Sequence, residues 1–229
     1  MQPEPLLRPV RVWDLPTRLF HWTLALAVIG AVVTAKVGGN AMVWHMRLGL
    51  LVLALLAFRL VWGFAGGHWS RFANILHGPR NVLAFVRGDA GPAGRFEVGH
   101  SPTGAWSVIA MLAALAVQVA TGLVADDEIA TTGPLYRFAS ADMVSTASSW
   151  HKDVGQYLVI GLALLHVGAV LYYLWRKRRN LILPMVHGDK ALAADVPASA
   201  DGAGQRALAF AVAGVAIALA WWIGSLGAA

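Results

Sequence analysis

The chain has 229 residues, 58% of them apolar and only 13% charged, with a mean hydropathy of +0.60. Soluble domains carry about a quarter charged residues, so an ordinary soluble globule is excluded, as is disorder, which needs low hydrophobicity and high charge. With no cysteine, the chain has no disulfide, iron–sulfur cluster, thiolate zinc site or covalently attached c-type haem. A net charge of +6 and a pI near 10.2 would suggest nucleic acid for a soluble protein. For a membrane protein the same excess is a topology signal, so the placement of the basic residues decides.

Residues 1–17 carry prolines and charges and no apolar core, unlike a cleavable signal peptide. A bilayer crossing takes about 20 mostly apolar residues. The first such stretch is 20–37, somewhat short, with Lys36 placed to snorkel at its end. The second is 43–65, followed by a long loop at 66–103. Within that loop, 81–87 reads either as a short interfacial helix or as an ordered surface loop. The third span is 104–125 and the fourth 151–175. Segment 189–205, rich in Ala, Asp and Gly, reads as a flexible linker. The fifth span, 207–226, has no His, Arg, Asp or Glu and reads as an accessory helix.

The basic residues separate the loops. Arg8, Arg11 and Arg18 precede the first span. Arg71, Arg80, Arg87 and Arg95 lie between the second and third. Arg176, Lys177, Arg178, Arg179, Lys190 and Arg206 lie between the fourth and fifth. That is thirteen of the 18 Lys and Arg on one side. The other side holds Lys36, Arg47, Arg137 and Lys152 together with Asp126, Asp127, Glu128, Asp142 and Asp153. The asymmetry places the N-terminus in the cytoplasm and the C-terminus outside, and removes the support for nucleic acid as a partner.

Of eight histidines, His68, His77, His100 and His187 fall in inner-side loops and read as solvated. His21, His45, His151 and His166 fall in spans, where ionisable residues imply a site facing the bundle interior. Depth sorts these four. His45 and His151 open their spans from the outside and His21 from the inside. His166, 15 residues after His151, lies about 22 Å deeper. At about 100° per residue that step is about 60° from a whole number of turns, so His151 and His166 face broadly the same way. The result is an outer pair, His45/His151, and an inner pair, His21/His166. Two stacked bis-histidine sites in a helical bundle fit two b-type haems. Zinc or di-iron would bring carboxylates to the same level, and a proton relay would want an acidic partner.

Nearby residues have two readings each. Trp44-His45 and Trp150-His151 are each followed by a glycine four residues beyond the His, Gly49 and Gly155. At i+4 each glycine shares the face of its His and either leaves room for a flat macrocycle or serves helix packing; Gly161 and Gly168 near His166 read likewise. Arg59, the one charge deep in a span, lies about 21 Å beyond His45, at the inner level. It either pairs with a haem propionate or quinone head group or snorkels to the inner surface. Arg47 and Lys152 are outer-level candidates for propionates. Gln118 and Thr121 read as interhelical hydrogen-bonding residues rather than ligands.

The stretch Val12-Trp13-Asp14-Leu15-Pro16-Thr17-Arg18-Leu19-Phe20-His21-Trp22, the Trp44-His45…Gly49 segment running to Phe58-Arg59-Leu60-Val61-Trp62-Gly63, the His151…His166 helix and Gly99-His100-Ser101-Pro102 resemble the bacterial cytochrome b561 / nickel-hydrogenase b-type cytochrome family over about residues 10–185. The resemblance implies an all-α integral membrane protein of the inner membrane, a four-helix di-haem bundle with His21, His45, His151 and His166 as axial ligands. It also implies electron transfer between a quinone pool and a redox partner, such as a periplasmic cytochrome c or oxidoreductase subunit. The fifth, C-terminal transmembrane helix departs from the four-span pattern. The expected organisation is therefore a di-haem domain over 1–186, a linker over 187–206 and an accessory helix over 207–229. A homo-oligomer is compatible with it. Two alternatives stand beside it: a superoxide:quinone oxidoreductase, disfavoured by the acidic outer face though Arg47 and Lys152 would focus the field locally, and a non-redox scaffold or transporter, which leaves four intramembrane histidines unexplained.

Overall fold

The structure is a computed structural model that describes residues 7–76, 78–87, 98–192 and 196–228; His77 and Arg95 lie outside the described residues. In chain order the elements are β1 (Arg8–Arg11), α1 (Leu15–Val37), α2 (Met42–Ala65), the short α3 (Phe72–Ile75) and α4 (Pro79–Arg87), α5 (Pro102–Gly122), α6 (Ala141–Ser149), a π-helical turn (Trp150–Gly155), α7 (Gln156–Trp175), α8 (Ile182–His187), β2 (Asp189–Leu192) and α9 (Ala203–Ser225). Five helices are long and apolar enough to cross a membrane: α1, α2, α5, the continuous run Ala141–Trp175, and α9. The protein is an all-α integral membrane protein. Its spans present large apolar side chains outward: Leu26, Ile29, Phe64, Leu164 and Trp221 are each more than 60% exposed. In water such a surface would aggregate; in a bilayer it meets lipid.

The helix starts follow capping chemistry. Asp14 accepts a hydrogen bond from the Thr17 N–H (2.8 Å) and so caps α1, with Pro16 in the first turn. The helix therefore begins five residues before the apolar run suggests and is 23 residues long, not short. Pro79 and Pro102 occupy the first positions of α4 and α5, where the missing N–H costs nothing. Segment 81–87 is helical. The fourth crossing helix starts at Ala141 rather than 151, behind a Ser140 cap that accepts from the Met143 N–H. The polar composition of 141–149 hid that start, and His151 does not open its helix.

The chain divides into two compact units, to each of which all five long helices contribute a segment. The first comprises Met1–Leu19, Leu60–Ile109 and His166–Phe210. Here β1 and β2 pair antiparallel, Arg8 opposite Leu192 and Arg11 opposite Asp189. Val12, Trp13 and Val98 form a buried cluster against Trp69, Met185, Leu192 and Val196. The segment expected to be a flexible linker is tied down among its described residues. Buried Ser199 donates to the Val12 carbonyl (2.7 Å) and accepts from the Trp69 N–H (3.2 Å). Asp201 pairs with Arg11 (2.9 Å) and Arg206 (3.2 Å) and accepts from the Leu15 N–H (3.1 Å). Those partners lie far upstream or on the following helix, so local composition could not reveal them. His100, read as solvated, packs edge-on against buried Trp13 at 4.8 Å.

Asp14 is the polar centre of this unit. It is fully buried, yet its carboxylate accepts from the Thr17 and Gly67 N–H groups, the Trp62 indole N–H and the Ser70 hydroxyl, at 2.7–3.2 Å. A buried carboxylate is tolerable only when so satisfied. It ties the start of α1 to the end of α2 and the turn that follows.

The second unit comprises Phe20–Arg59, Ala110–Leu165 and Ala211–Ala229. The connection from α1 to α2 passes through Gly38 and Gly39 at φ of 68° and 52°, a backbone region that favours glycine. α1 and α2 pack closely: a Cβ on Gly30 would lie 2.9 Å from Leu48 Cδ1. After α5, Asp127 accepts from the N–H groups of Ile129, Ala130 and Thr131 at 2.8–2.9 Å. Desolvation acts upward on its pKa, but these donors outweigh it and lower the value to about 2. α9 is packed rather than peripheral. A Cβ on Gly224 would lie 2.6 Å from Leu50 Cδ1 of α2, and in the first unit Gln205 donates to the Ala65 carbonyl (2.8 Å).

Asp14→Ala strands four buried donors, each worth about 1–3 kcal/mol. The expected outcome is a loss of at least about 3 kcal/mol, read as a lower thermal midpoint in detergent, with a smaller loss for Asp14→Asn, which keeps one acceptor oxygen. An unchanged midpoint for Asp14→Ala would show that the hub carries no stability.

Candidate functional site

In the second unit, His45 on α2 and His151 in the π-helical turn face each other, ring centroids 6.0 Å apart and ring planes at 83°. Each imidazole is held from behind by a neighbouring helix. His45 Nδ1 lies 2.9 Å from the Ala31 carbonyl of α1, and His151 Nδ1 lies 2.8 Å from the Gln118 carbonyl of α5. A carbonyl only accepts, so Nδ1 carries the proton in both rings, and each Nε2 keeps its lone pair for a metal. This Nδ1–H to backbone carbonyl contact is the usual support of a metal-bound imidazole. Two metal–imidazole bonds of about 2 Å each, with the half-widths of two rings, add up to about 6 Å, close to the observed separation. Among the described residues no group of three or more His, Asp or Glu side chains is placed to hold a metal ion, so this is a two-ligand arrangement. It can supply the two axial positions of an iron whose other four ligands come from a macrocycle.

The seat of His151 is one face of α5. Gln118, Thr121 and Gly122 occupy i, i+3 and i+4. Thr121 Oγ1 lies 3.5 Å from Nδ1, and a Cβ on Gly122 would lie 2.7 Å from His151 Cε1. Gln118 Nε2 donates to the His151 carbonyl (2.9 Å) and Gln156 Nε2 to the Lys152 carbonyl. Two carbonyls of the π-turn thus receive side-chain amides, the kind of intrusion that breaks a regular helical ladder. π-turns often mark functional positions. This one takes up an extra residue, so the straight-helix angle used above for residues beyond it does not hold.

The remaining candidates divide. A Cβ on Gly49 would meet nothing within 4 Å. Gly155 is buried, and the place of its missing side chain is taken by Gln118 Oε1, with Trp150 Nε1 2.9 Å away. Gly155 therefore serves helix packing here. Arg47 lies over the Trp44 ring at 5.0 Å. Lys152 pairs with Glu128 (3.5 Å) and donates to the Asp126 carbonyl (3.4 Å), so it is turned toward the acidic loop. Arg59 is 4% exposed, which rules out snorkelling to the surface. His21 is in the second unit, edge-on to Trp22 at 5.0 Å, and His166 is in the first, half-buried on α7. Their pairing stays an expectation from the sequence.

The model of the prokaryotic cytochrome b561 family matches residues 12–188, more than half of the chain, and the chain belongs to that family. It is therefore a multi-pass membrane b-type cytochrome of electron transport that binds b-type haem. No curated protein matches the chain. α9 lies beyond the matched residues.

Gly122→Ala places a methyl group against the His151 ring. The expected outcome is less haem bound per chain at unchanged helical content, read by haem absorbance against protein and by circular dichroism. Wild-type haem content in this variant would show that the seat of the ring is not confining.

Proposed function

We propose that the protein is a di-haem cytochrome b carrying electrons across the inner membrane between a quinone pool and a redox partner outside. His45 and His151 would hold the outer haem, and His21 and His166 the inner one. The observation that carries this reading is the His45/His151 pair: two imidazoles opposed at 6.0 Å, each with Nδ1 on a backbone carbonyl and Nε2 left for iron. A b-type haem, when bound, supplies a one-electron iron centre. His45 and His151 would hold that iron between two imidazoles and leave it no open position for oxygen or substrate, which suits electron transfer rather than oxygen chemistry.

The thirteen inner-side cations support an N-terminus in the cytoplasm and a C-terminus in the periplasm. With that orientation the loop bearing Asp126, Asp127 and Glu128, which Lys152 beside His151 contacts, would lie on the outer side. Asp127, with its pKa lowered to about 2, stays ionised at any physiological pH. Such a face steers a basic partner, a cytochrome c or a periplasmic oxidoreductase subunit, and repels superoxide. Lys152 is engaged with Glu128 and offers that anion little field. The burial of Arg59 supports it as a cation that would meet a haem propionate or a quinone head group.

Single alanine variants test the pairing. His45→Ala and His151→Ala are each expected to lose the same half of the haem, and His21→Ala and His166→Ala the other half, read from dithionite-reduced spectra and redox titration. Loss of the same haem in His45→Ala and His21→Ala would overturn the assignment.

A further inference from the structure

We propose that Gln118 is a positioning residue for the outer haem, setting the donor strength of His151 and with it the potential of that haem. The inference rests on His151 as an axial ligand. Residues 118 and 151 are joined at two points in opposite senses: the His151 ring Nδ1–H donates to the Gln118 carbonyl (2.8 Å), and the Gln118 side-chain Nε2 donates to the His151 carbonyl (2.9 Å). The first bond fixes the ring; the second fixes the backbone that carries it. Together they leave the imidazole little freedom to rotate or withdraw.

Three further observations concern the side chain rather than the backbone. The carbonyl it reaches lies in the π-helical turn, where the ladder of helical bonds is interrupted. Its approach depends on Gly155, because any Cβ there would fall on Gln118 Oε1. And that Oε1 is buried and, among the described residues, has no hydrogen-bond partner, as is the case for Trp150 Nε1 beside it. Leaving buried polar atoms unmade is destabilising. An apolar side chain would pack at this helix contact without that penalty, so the amide is accounted for by what its N–H does at His151.

The chemical consequence follows from the carbonyl on Nδ1. A stronger Nδ1–H bond makes an imidazole a better donor through Nε2, which favours the ferric state and lowers the potential. Without the Gln118 amide, the turn relaxes, the Nδ1–H bond weakens and the potential rises. Thr121 Oγ1, at 3.5 Å from Nδ1, is too far to replace it.

The test is a potentiometric titration of the haem-loaded protein in detergent for wild type, Gln118→Met and Gln118→Asn. Met keeps length without a donor, and Asn keeps the amide but is one methylene too short. His151→Ala, run in parallel, identifies the outer haem. The expected result is an upward shift of the outer potential in both Gln118 variants, with the inner potential unmoved; selective loss of the outer haem would also support the role. If Gln118→Met fails to assemble, Gln118→Asn decides. An unchanged outer potential, where His151→Ala does lose that haem, overturns the positioning role alone. Full haem retention in His151→Ala overturns the ligand reading and this inference with it.

Discussion

Two backbone carbonyls, those of Ala31 and Gln118, constrain the site more than any side-chain charge does. Each is the acceptor for the Nδ1–H of an imidazole on a neighbouring helix, and so fixes the tautomer and the direction of Nε2 in His45 and His151. The carbonyls belong to helices, so their positions are only as good as the helix packing. Tight contact at Gly30 against Leu48 brings α1 close to α2, and Gly122 and Gly155 let α5 approach the π-turn. Small residues at such contacts are how helices in lipid gain closeness where no hydrophobic drive between them exists. Packing, ring orientation and metal-binding capacity are therefore one property seen at three scales.

The Asp14 hub plays the corresponding part in the other unit. A carboxylate with four donors joins the capped start of α1 to the end of α2 and the turn at Gly67–Ser70. Around it, β1, β2 and the segment through Ser199 and Asp201 close over the Trp13 cluster. α9, outside the residues that match the family, is anchored at both of its ends: by Gln205 on Ala65 in one unit and by Gly224 against Leu50 in the other. It is thus part of the fold of this chain, an addition to the four-helix pattern and not an appendage.

The five crossing helices, the four histidines on them and the approach of His45 to His151 were legible because hydropathy and span depth are local, additive properties. The interhelical bonding of Gln118 was legible for a similar reason, since a lone amide in a span needs a partner. The π-turn was not: it forms where a side chain from another helix enters the ladder, and nothing in Trp150–Gly155 alone announces that. The ties on 189–205 were missed because their partners, Arg11, Val12 and Leu15, lie almost the whole chain away. Asp14 carried a readable signal, an N-cap type just before a proline-bearing first turn, but its three other ligands come from 48 to 56 residues on. The choice between the two readings of Gly155 was not legible, because a glycine pattern records that space is needed, not what takes it.

On the proposed reading His45 and His151 would hold one iron between two nearly perpendicular rings. Low-temperature electron paramagnetic resonance of the oxidised, haem-loaded protein tests it most directly, because the shape of a ferric low-spin signal depends on the angle between axial imidazole planes. At 83° the expected signal is strongly anisotropic, dominated by one low-field feature, and absent from His45→Ala. A high-spin signal, or only the rhombic pattern of parallel rings, from the haem that His45→Ala removes would contradict it.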